Sequence, residues 1–238
     1  MKLLDLTLDS PAENLALDEA LLEQAEADGP QEVLRLWEPE SPLVVMGRSS
    51  KVATEVEQER CAAQSIPYLR RCSGGAAIVT GPGCLMYAVV LSYELRPALR
   101  VLDQAHHFVL TQMATALRAL DLPVEQKGTS DLVIGETKFS GNSLRCKRNH
   151  LLYHGTLLYD FPLELIGECL GTPPRQPEYR RGRTHDRFVA NLQTTGVALR
   201  NALIAQWQAT VPLEDWPKDL TAEFAEQRYR QDAWNLRW

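Results

Sequence analysis

The chain has 238 residues, 45% hydrophobic and 24% charged, which fits a globular protein and excludes a mostly disordered one. Lys+Arg number 25 against Asp+Glu 31, a formal charge of −6, so nucleic acid is not an expected partner and any anion binding must come from a local feature. No apolar run approaches the roughly 20 residues of a bilayer span, and the opening residues, with Asp5 and Asp9, do not read as a secretory signal. The cysteines Cys61, Cys72, Cys84, Cys146 and Cys169 are odd in number and hold no C-x-x-C pair, a pattern expected of reduced thiols in a cytoplasmic protein.

Ser10-Pro11-Ala12-Glu13 predicts a helix start, with Ser10 as cap, Pro11 at the first helical position and Glu13 closing a capping box. Leu17, Leu21 and Ala25 recur at helical spacing before Gly29-Pro30 stops the helix. Val33–Trp37 and Leu43–Met46 read as strands, residues 54–65 as a polar helix, and a further strand runs into Arg70-Arg71. The glycine-rich stretch 73–83 leads into an apolar strand over 85–93. Residues 103–120 form the second long predicted helix, with Ala105, Val109, Met113, Ala116 and Leu120 on one side. Short strands flank a Gly/Lys loop between 131 and 159, and residues 162–170, 194–209 and 221–230 read as helices. Without repeats or low-complexity linkers, this irregular interleaving predicts one α/β or α+β domain over residues 1–238, with a mixed sheet.

Four segments are suited to chemistry. In Arg70-Arg71-Cys72-Ser73-Gly74-Gly75-Ala76-Ala77-Ile78-Val79, arginine forks end a strand and glycines allow backbone amides to approach an anion. The segment is neither G-x-x-x-x-G-K-[ST] nor G-x-G-x-x-G, and a β-turn with solvated arginines has the same spacing. In the second, Lys138 lies between Gly135 and Gly141 after Gly128-Thr129-Ser130-Asp131. A lysine on a mobile loop can neutralise charge that develops in a transition state, Asp131 could hold Mg²⁺ or orient an amine, and a hairpin with an exposed lysine is the alternative. Third, His150 and His154 share a strand face, yet no carboxylate or cysteine is spaced to complete a metal set, and His154 beside Gly155 reads as pocket lining. His107 can pair with Asp103 one helical turn away. Fourth, Arg175, Arg180, Arg181, Arg183 and Arg187 surround Tyr179 and His185, a basic patch for an acidic partner or a nucleotide phosphate, or equally a surface of local ion pairs.

Taken together and in this order, the segments resemble the lipoate–protein ligase A family, within the wider group of biotin and lipoate ligases and octanoyltransferases. The resemblance rests on Asn14-Leu15-Ala16-Leu17-Asp18-Glu19, Val44-Val45-Met46-Gly47-Arg48, Arg70 through Ile78, Ser130-Asp131-Leu132, Lys138-Phe139-Ser140-Gly141 and His154-Gly155-Thr156-Leu157-Leu158. Tyr179-Arg180-Arg181-Gly182-Arg183 and the closing Trp234-Asn235 add to it. Ala76, Thr80, Cys84 and Ser130 depart from the family pattern, which has glycine, histidine, asparagine and asparagine there.

The resemblance implies a single catalytic domain with mixed, largely antiparallel sheets, lacking the C-terminal accessory domain of full-length ligases. It implies that ATP, with Mg²⁺, activates lipoate or octanoate to an acyl-AMP such as lipoyl-AMP. The acyl group then passes to a lysine of an acceptor lipoyl domain, on 2-oxoacid dehydrogenase E2 subunits or the glycine cleavage H protein, in some relatives with a small accessory subunit. Lys138 is implied as the residue bridging acyl carbonyl and α-phosphate. Arg71, Ser73, Gly74, Gly75, Ala76, Ala77, Ile78, Val79 and Asp131 are implied around nucleotide and acyl carboxylate, and His154 and Gly155 along the acyl chain. Two alternatives stand beside this one. An ATP-independent octanoyl or lipoyl transferase would need a thioester cysteine, for which Cys72, Cys84 and Cys146 are the candidates; a non-catalytic lipoyl-AMP-binding module would bind without turnover.

Overall fold

A computed structural model of the chain describes residues 1–172 and 176–237. Its strands are β1 (Lys2–Asp5), β2 (Val33–Trp37), β3 (Leu43–Met46), β4 (Tyr68–Arg70), β5 (Ile78–Thr80), β6 (Cys84–Ser92), β7 (Val124–Lys127), β8 (Asp131–Ile134), β9 (Thr137–Cys146), β10 (His150–Leu158) and β11 (Val211–Pro212). The helices are α1 (Pro11–Asp28), α2 (Val52–Glu55), α3 (Gln58–Ala63), α4 (Leu102–Arg118), α5 (Glu164–Cys169), α6 (His185–Phe188), α7 (Gly196–Trp207), α8 (Lys218–Phe224) and α9 (Asp232–Asn235).

Among the described residues the strands form a large sheet ordered β11-β1-β2-β6-β10-β9-β8-β7 and a small one ordered β4-β3-β5. The large sheet is antiparallel from β2 to β7 and parallel only where β1 meets β2 and β11. The mixed, largely antiparallel fold expected from the sequence is therefore the one observed.

The alternation along β6 explains where the core lies. Tyr87, Val89 and Leu91 pack with Val109, Leu110 and Met113 of α4 and with Leu199 and Leu203 of α7. Ala88 and Val90, on the opposite face, meet Leu17, Leu21 and Leu22 of α1. Because both faces are covered, β6 and β10 are buried along their whole length, and β6 reads as a nearly continuous apolar run. Ser10 caps α1 as expected, accepting a hydrogen bond from the Glu13 amide.

Three expectations change. The polar helix over 54–65 is two short helices, because Val56 bridges to Leu170 and the Glu57 amide donates to the Cys169 carbonyl. The Gly/Lys loop is a β8–β9 hairpin with Lys138 already in β9. The helix over 221–230 is α8 continued by a wider turn at Ala225–Tyr229. No helix among the described residues is long and apolar enough to cross a membrane.

Candidate functional site

A cavity of about 490 Å³ is lined by α1, the small sheet and its glycine loop, strands β8 to β10, and residues 176–189. Leu15, Val45, Met86, Leu158, Ile166 and Leu170 give it apolar walls, and Lys138, Asp131, Arg180 and His185 are its charged or titratable members from the far side of the chain. Of the residues implied by the sequence, Arg71, Gly75 to Val79, Asp131, Lys138, His154 and Gly155 line it. Ser73 and Gly74 do not.

The glycine loop joins β4 to β5 and is held from behind by arginines. Arg70 is fully buried; its Nη1 donates to the carbonyls of Gly47 and Ser50 at 2.8 Å each, and its Nη2 to that of Asn235 at 2.8 Å. Arg71 donates through Nε to Ser73 Oγ at 3.1 Å, through Nη1 to the Val45 carbonyl at 3.1 Å, and through Nη2 to the carbonyls of Gly74 and Ala76. Burial lowers this guanidinium to about 10, still charged at neutral pH. The two arginines expected as anion forks are thus mainly fastenings of the loop.

The expected row of free amides is also narrower. The Ala77 amide donates to Oε2 of the buried Glu55 at 2.8 Å, and Ile78 and Val79 are paired with β3. Gly75 takes φ +88°, and its carbonyl approaches so closely that a Cβ on Gly47 would lie 1.8 Å from it. Ala76 is not among the residues with positive φ, so an alanine in place of the third glycine brings no strain. Thr80 and Cys84 stand outside the lining; the Thr80 hydroxyl donates to Sδ of Met86, which does line it.

His154 ties the loop to α1. Its Nε2 lies 2.5 Å from Ser73 Oγ, and its Nδ1 lies 3.0 Å from Oδ2 of Asp18, whose Oδ1 receives Arg35 Nη1 at 2.6 Å. Burial raises the Asp18 carboxyl, but Arg35 and then His154 outweigh it and hold it below the usual carboxylate range. An ionised Asp18 can only accept, so Nδ1–H donates to it, which leaves Nε2 to accept from the Ser73 hydroxyl. The serine connects Arg71 to His154 and sits behind the wall.

Opposite, β9 carries Lys138. Val133 pairs with Lys138 while Leu132 pairs with Ser140, so Phe139 is an extra residue in the ladder. Such a bulge re-aims neighbouring side chains; here Phe139 is buried and Lys138 reaches the cavity. Lys138 Nζ lies 2.6 Å from Asp131 Oδ1, and Asp131 Oδ2 accepts from the Tyr179 hydroxyl at 2.7 Å. Gly155 is glycine because Asn142 fills its place: a Cβ would lie 1.8 Å from Asn142 Oδ1. Asn142 is itself held by Tyr87, whose hydroxyl donates to Oδ1 at 2.5 Å, and by the Ser130 carbonyl, which accepts from Nδ2 at 2.8 Å.

Both Asp131 oxygens are engaged within the protein, and among the described residues no three His, Cys, Asp or Glu side chains converge on one point. The donor set does not fit a resident magnesium ion, so the expected Mg²⁺ contact at Asp131 is not supported by this geometry. Cys72 and Cys84 are buried, and burial pushes both thiols up to about 12; Cys146 is exposed, and no cysteine lines the cavity among the described residues. His150 pairs with Glu26 at 3.3 Å, apart from His154. Within the basic patch, Arg180 and His185 line the cavity, and Arg175 lies outside the described residues.

Comparison with known proteins gives this cavity its context. The family model of the lipoyl protein ligase A/B catalytic domain matches residues 10–209. The chain belongs to this family. Among relatives, lipoate–protein ligase 1 of Staphylococcus aureus is 27% identical over 188 residues, 78% of this chain and 54% of the relative. A lipoate–protein ligase A of Psychrobacter cryohalolentis is 26% identical over 81% of this chain and 53% of its own length. The chain spans about half the length of the curated relatives it matches. In structure it is similar to the bi-partite lipoate protein ligase of Thermoplasma acidophilum, solved in a study with its E2 lipoyl domain, at TM-score 0.83 and 22% identity over 99% of this chain and 95% of that one. A lipoate–protein ligase A bound with ATP follows at TM-score 0.77 and 23% identity over 99% and 98%. At these identities the likeness establishes the fold.

Several residues that line this ligase-family cavity or brace its walls were not singled out by sequence reasoning. Asp18 and Tyr179 sit inside stretches that carry the resemblance, but only the fold shows them touching His154 and Asp131. Glu55 and Asn142 had no signal of their own, since Glu55 acts by accepting the Ala77 amide and Asn142 by filling the space that Gly155 leaves on the neighbouring strand.

Proposed function

We propose that the chain activates lipoate or octanoate with ATP to an acyl-adenylate and transfers the acyl group to a lysine of an acceptor lipoyl domain, in the cytoplasm. The acceptors are lipoyl domains of 2-oxoacid dehydrogenase E2 subunits and the glycine cleavage H protein. The observation that carries the reading is Lys138, held on Asp131 and facing an apolar-walled cavity that no cysteine lines among the described residues. A thioester route needs a reachable thiolate; an adenylate route needs a cation beside the reacting phosphate.

In the first step a carboxylate oxygen of the acid attacks the α-phosphorus, and pyrophosphate leaves with the electron pair of the broken P–O bond. Lys138, released from Asp131, sits between the acyl carbonyl and the α-phosphate and stabilises the charge gathering on both. In the second step the acceptor amine attacks the acyl carbon and AMP leaves; Asp131, freed of the lysine, is placed to take the amine's proton. Mg²⁺ enters with the nucleotide as part of the substrate.

The test is purified protein with MgATP, lipoate and an acceptor lipoyl domain, beside an octanoyl-carrier donor without ATP. Acceptor lipoylation that requires ATP and releases AMP supports the reading. Transfer from the carrier without ATP overturns it in favour of a transferase; binding of lipoyl-AMP with no turnover overturns it in favour of a binding module. Turnover that appears only when the remaining half of a full-length relative is supplied would make the chain one part of a two-part ligase.

A further inference from the structure

Arg180 is 4% exposed and lines the cavity. Among the described residues its side chain makes one hydrogen bond, Nε to the Arg183 carbonyl at 2.9 Å, and its guanidinium stacks on Phe188 at 4.9 Å from the ring centre. No carboxylate pairs with it among the described residues. Arg183, stacked on the same ring, finds Glu136 at 4.0 Å and does not line the cavity. An unpaired buried cation is unfavourable by several kcal/mol unless something neutralises it.

The surroundings worsen that balance. Burial and then the Arg183 charge lower the Arg180 guanidinium below its usual range. His185, in the same wall, is held below the usual imidazole range by burial first and then by Arg180, with Lys138 adding to the effect. Lys138 is tied to this segment directly, since its carbonyl accepts from the Ala190 amide at 2.9 Å. The wall therefore concentrates positive charge beside the lysine; among the described residues Asp131 is held by Lys138, Glu136 lies 4.0 Å from Arg183 and Asp186 acts on His185, and none of them pairs with Arg180.

We infer that Arg180 is the seat of the departing pyrophosphate, a catalytic residue for adenylate formation and not for acyl transfer. This rests on the ATP-dependent reading above. As the α-phosphorus–oxygen bond breaks, charge accumulates on the leaving oxygens, and a planar guanidinium whose two terminal amino groups make no bond within the protein among the described residues can meet phosphate oxygens in a pair. A cation fixed there before the reaction lowers the barrier to bond breaking without reorganisation. In the second step the leaving group is AMP, pyrophosphate has gone, and Arg180 contributes nothing.

The two partial reactions separate this from every neighbouring role. Lipoate-dependent exchange of labelled pyrophosphate into ATP reads the first step; single-turnover transfer from synthetic lipoyl-AMP to a lipoyl domain reads the second. In Arg180→Gln the exchange should fall by about a hundredfold or more, with transfer within about threefold of wild type and an unchanged melting temperature. Inhibition by added pyrophosphate should weaken by about tenfold or more. Arg180→Lys should recover part of the exchange, and Arg183→Gln should leave both reactions near wild type. Unchanged exchange in Arg180→Gln overturns the assignment alone. Equal loss of both reactions, or loss of transfer only, also overturns it, in favour of a contact to the acyl phosphate, the fold or the acceptor. If Arg180→Gln does not fold, Arg180→Lys carries the same test: the assignment requires exchange to fall at least tenfold more than transfer. Wild-type protein that transfers from lipoyl-AMP but shows no exchange overturns the activation reading itself, and this one with it.

Discussion

The two walls of the cavity treat their charges in opposite ways. On the glycine-loop side, Arg70, Arg71 and Glu55 are saturated by backbone carbonyls and amides of the protein itself. On the β9 side, Lys138 leans on one carboxylate and Arg180 on none among the described residues. Saturated charges hold shape, because moving them would strand buried partners. Unsaturated ones hold potential, available to whatever anion enters. A cluster of arginines and glycines that looks like an anion site is here largely architecture, while charge free for chemistry sits on the plainer wall.

Variants on each side can break this comparison. The largest effect belongs to the scaffold: Asp18→Asn leaves Arg35, fully buried, without its carboxylate, and should lower stability by about 3–5 kcal/mol in urea unfolding at pH 7. The sign with pH follows from the lowered Asp18 carboxyl. Its stabilisation is complete above the unfolded value near 3.8 and disappears as pH falls through the folded value, so the gap between wild type and variant should persist at pH 5 and close only below about pH 4. A gap that closes between pH 7 and 5 would contradict this account.

Next in size is Lys138→Ala on the chemical wall. It should remove about 2–4 kcal/mol of transition-state stabilisation, roughly a hundredfold or more in single-turnover adenylate formation, with little change in melting temperature. Lys138→Arg should rescue poorly, since the bulge aims a point charge and a guanidinium is a plane. Near wild-type rates in the folded alanine variant would reduce Lys138 to a hairpin residue.

Glu55→Gln should cost about 1.5–3 kcal/mol in stability, because the Ala77 amide and the Ser50 hydroxyl lose a charged acceptor. If instead stability holds and substrate binding changes, the glycine-loop wall is less rigid than described. Smallest of all, Cys72→Ala, Cys84→Ala and Cys146→Ser should leave acyl transfer within about threefold of wild type. A drop of about a hundredfold at one of them, ~2.7 kcal/mol of barrier, would favour a thioester mechanism.

Much of the fold was legible in the sequence, and for stated reasons. The capped start of α1, the apolar run of β6 and the apolar stripe of α4 are local patterns that tertiary contacts reinforce. The small sheet was legible in outline, since Leu43–Met46 and the strand into Arg70 both read as strands. What escaped depends on pairing between distant segments. The bulge at Phe139 exists only relative to β8, and the break at Val56 exists only because Leu170 comes to meet it. The site divides the same way: Lys138, Asp131, His154 and Gly155 were found at the cavity, whereas the different fates of Arg71 and Arg180 are invisible in residue type and depend on which carbonyls surround each one.

The bonds from Arg70 to Asn235 have a consequence for synthesis. The side-chain oxygen of Asn235 accepts the Arg70 amide at 2.9 Å, its carbonyl accepts Nη2, and Trp234 Nε1 donates to the Arg70 carbonyl at 2.8 Å. On a ribosome, Arg70 emerges more than 160 residues before these partners do. Until α9 is translated and released, the arginine that fastens the turn at Gly47 to the glycine loop holds only half of its acceptors. The cavity wall built on Arg70 therefore closes late in synthesis, because its fastening waits for residues 234 and 235 to emerge.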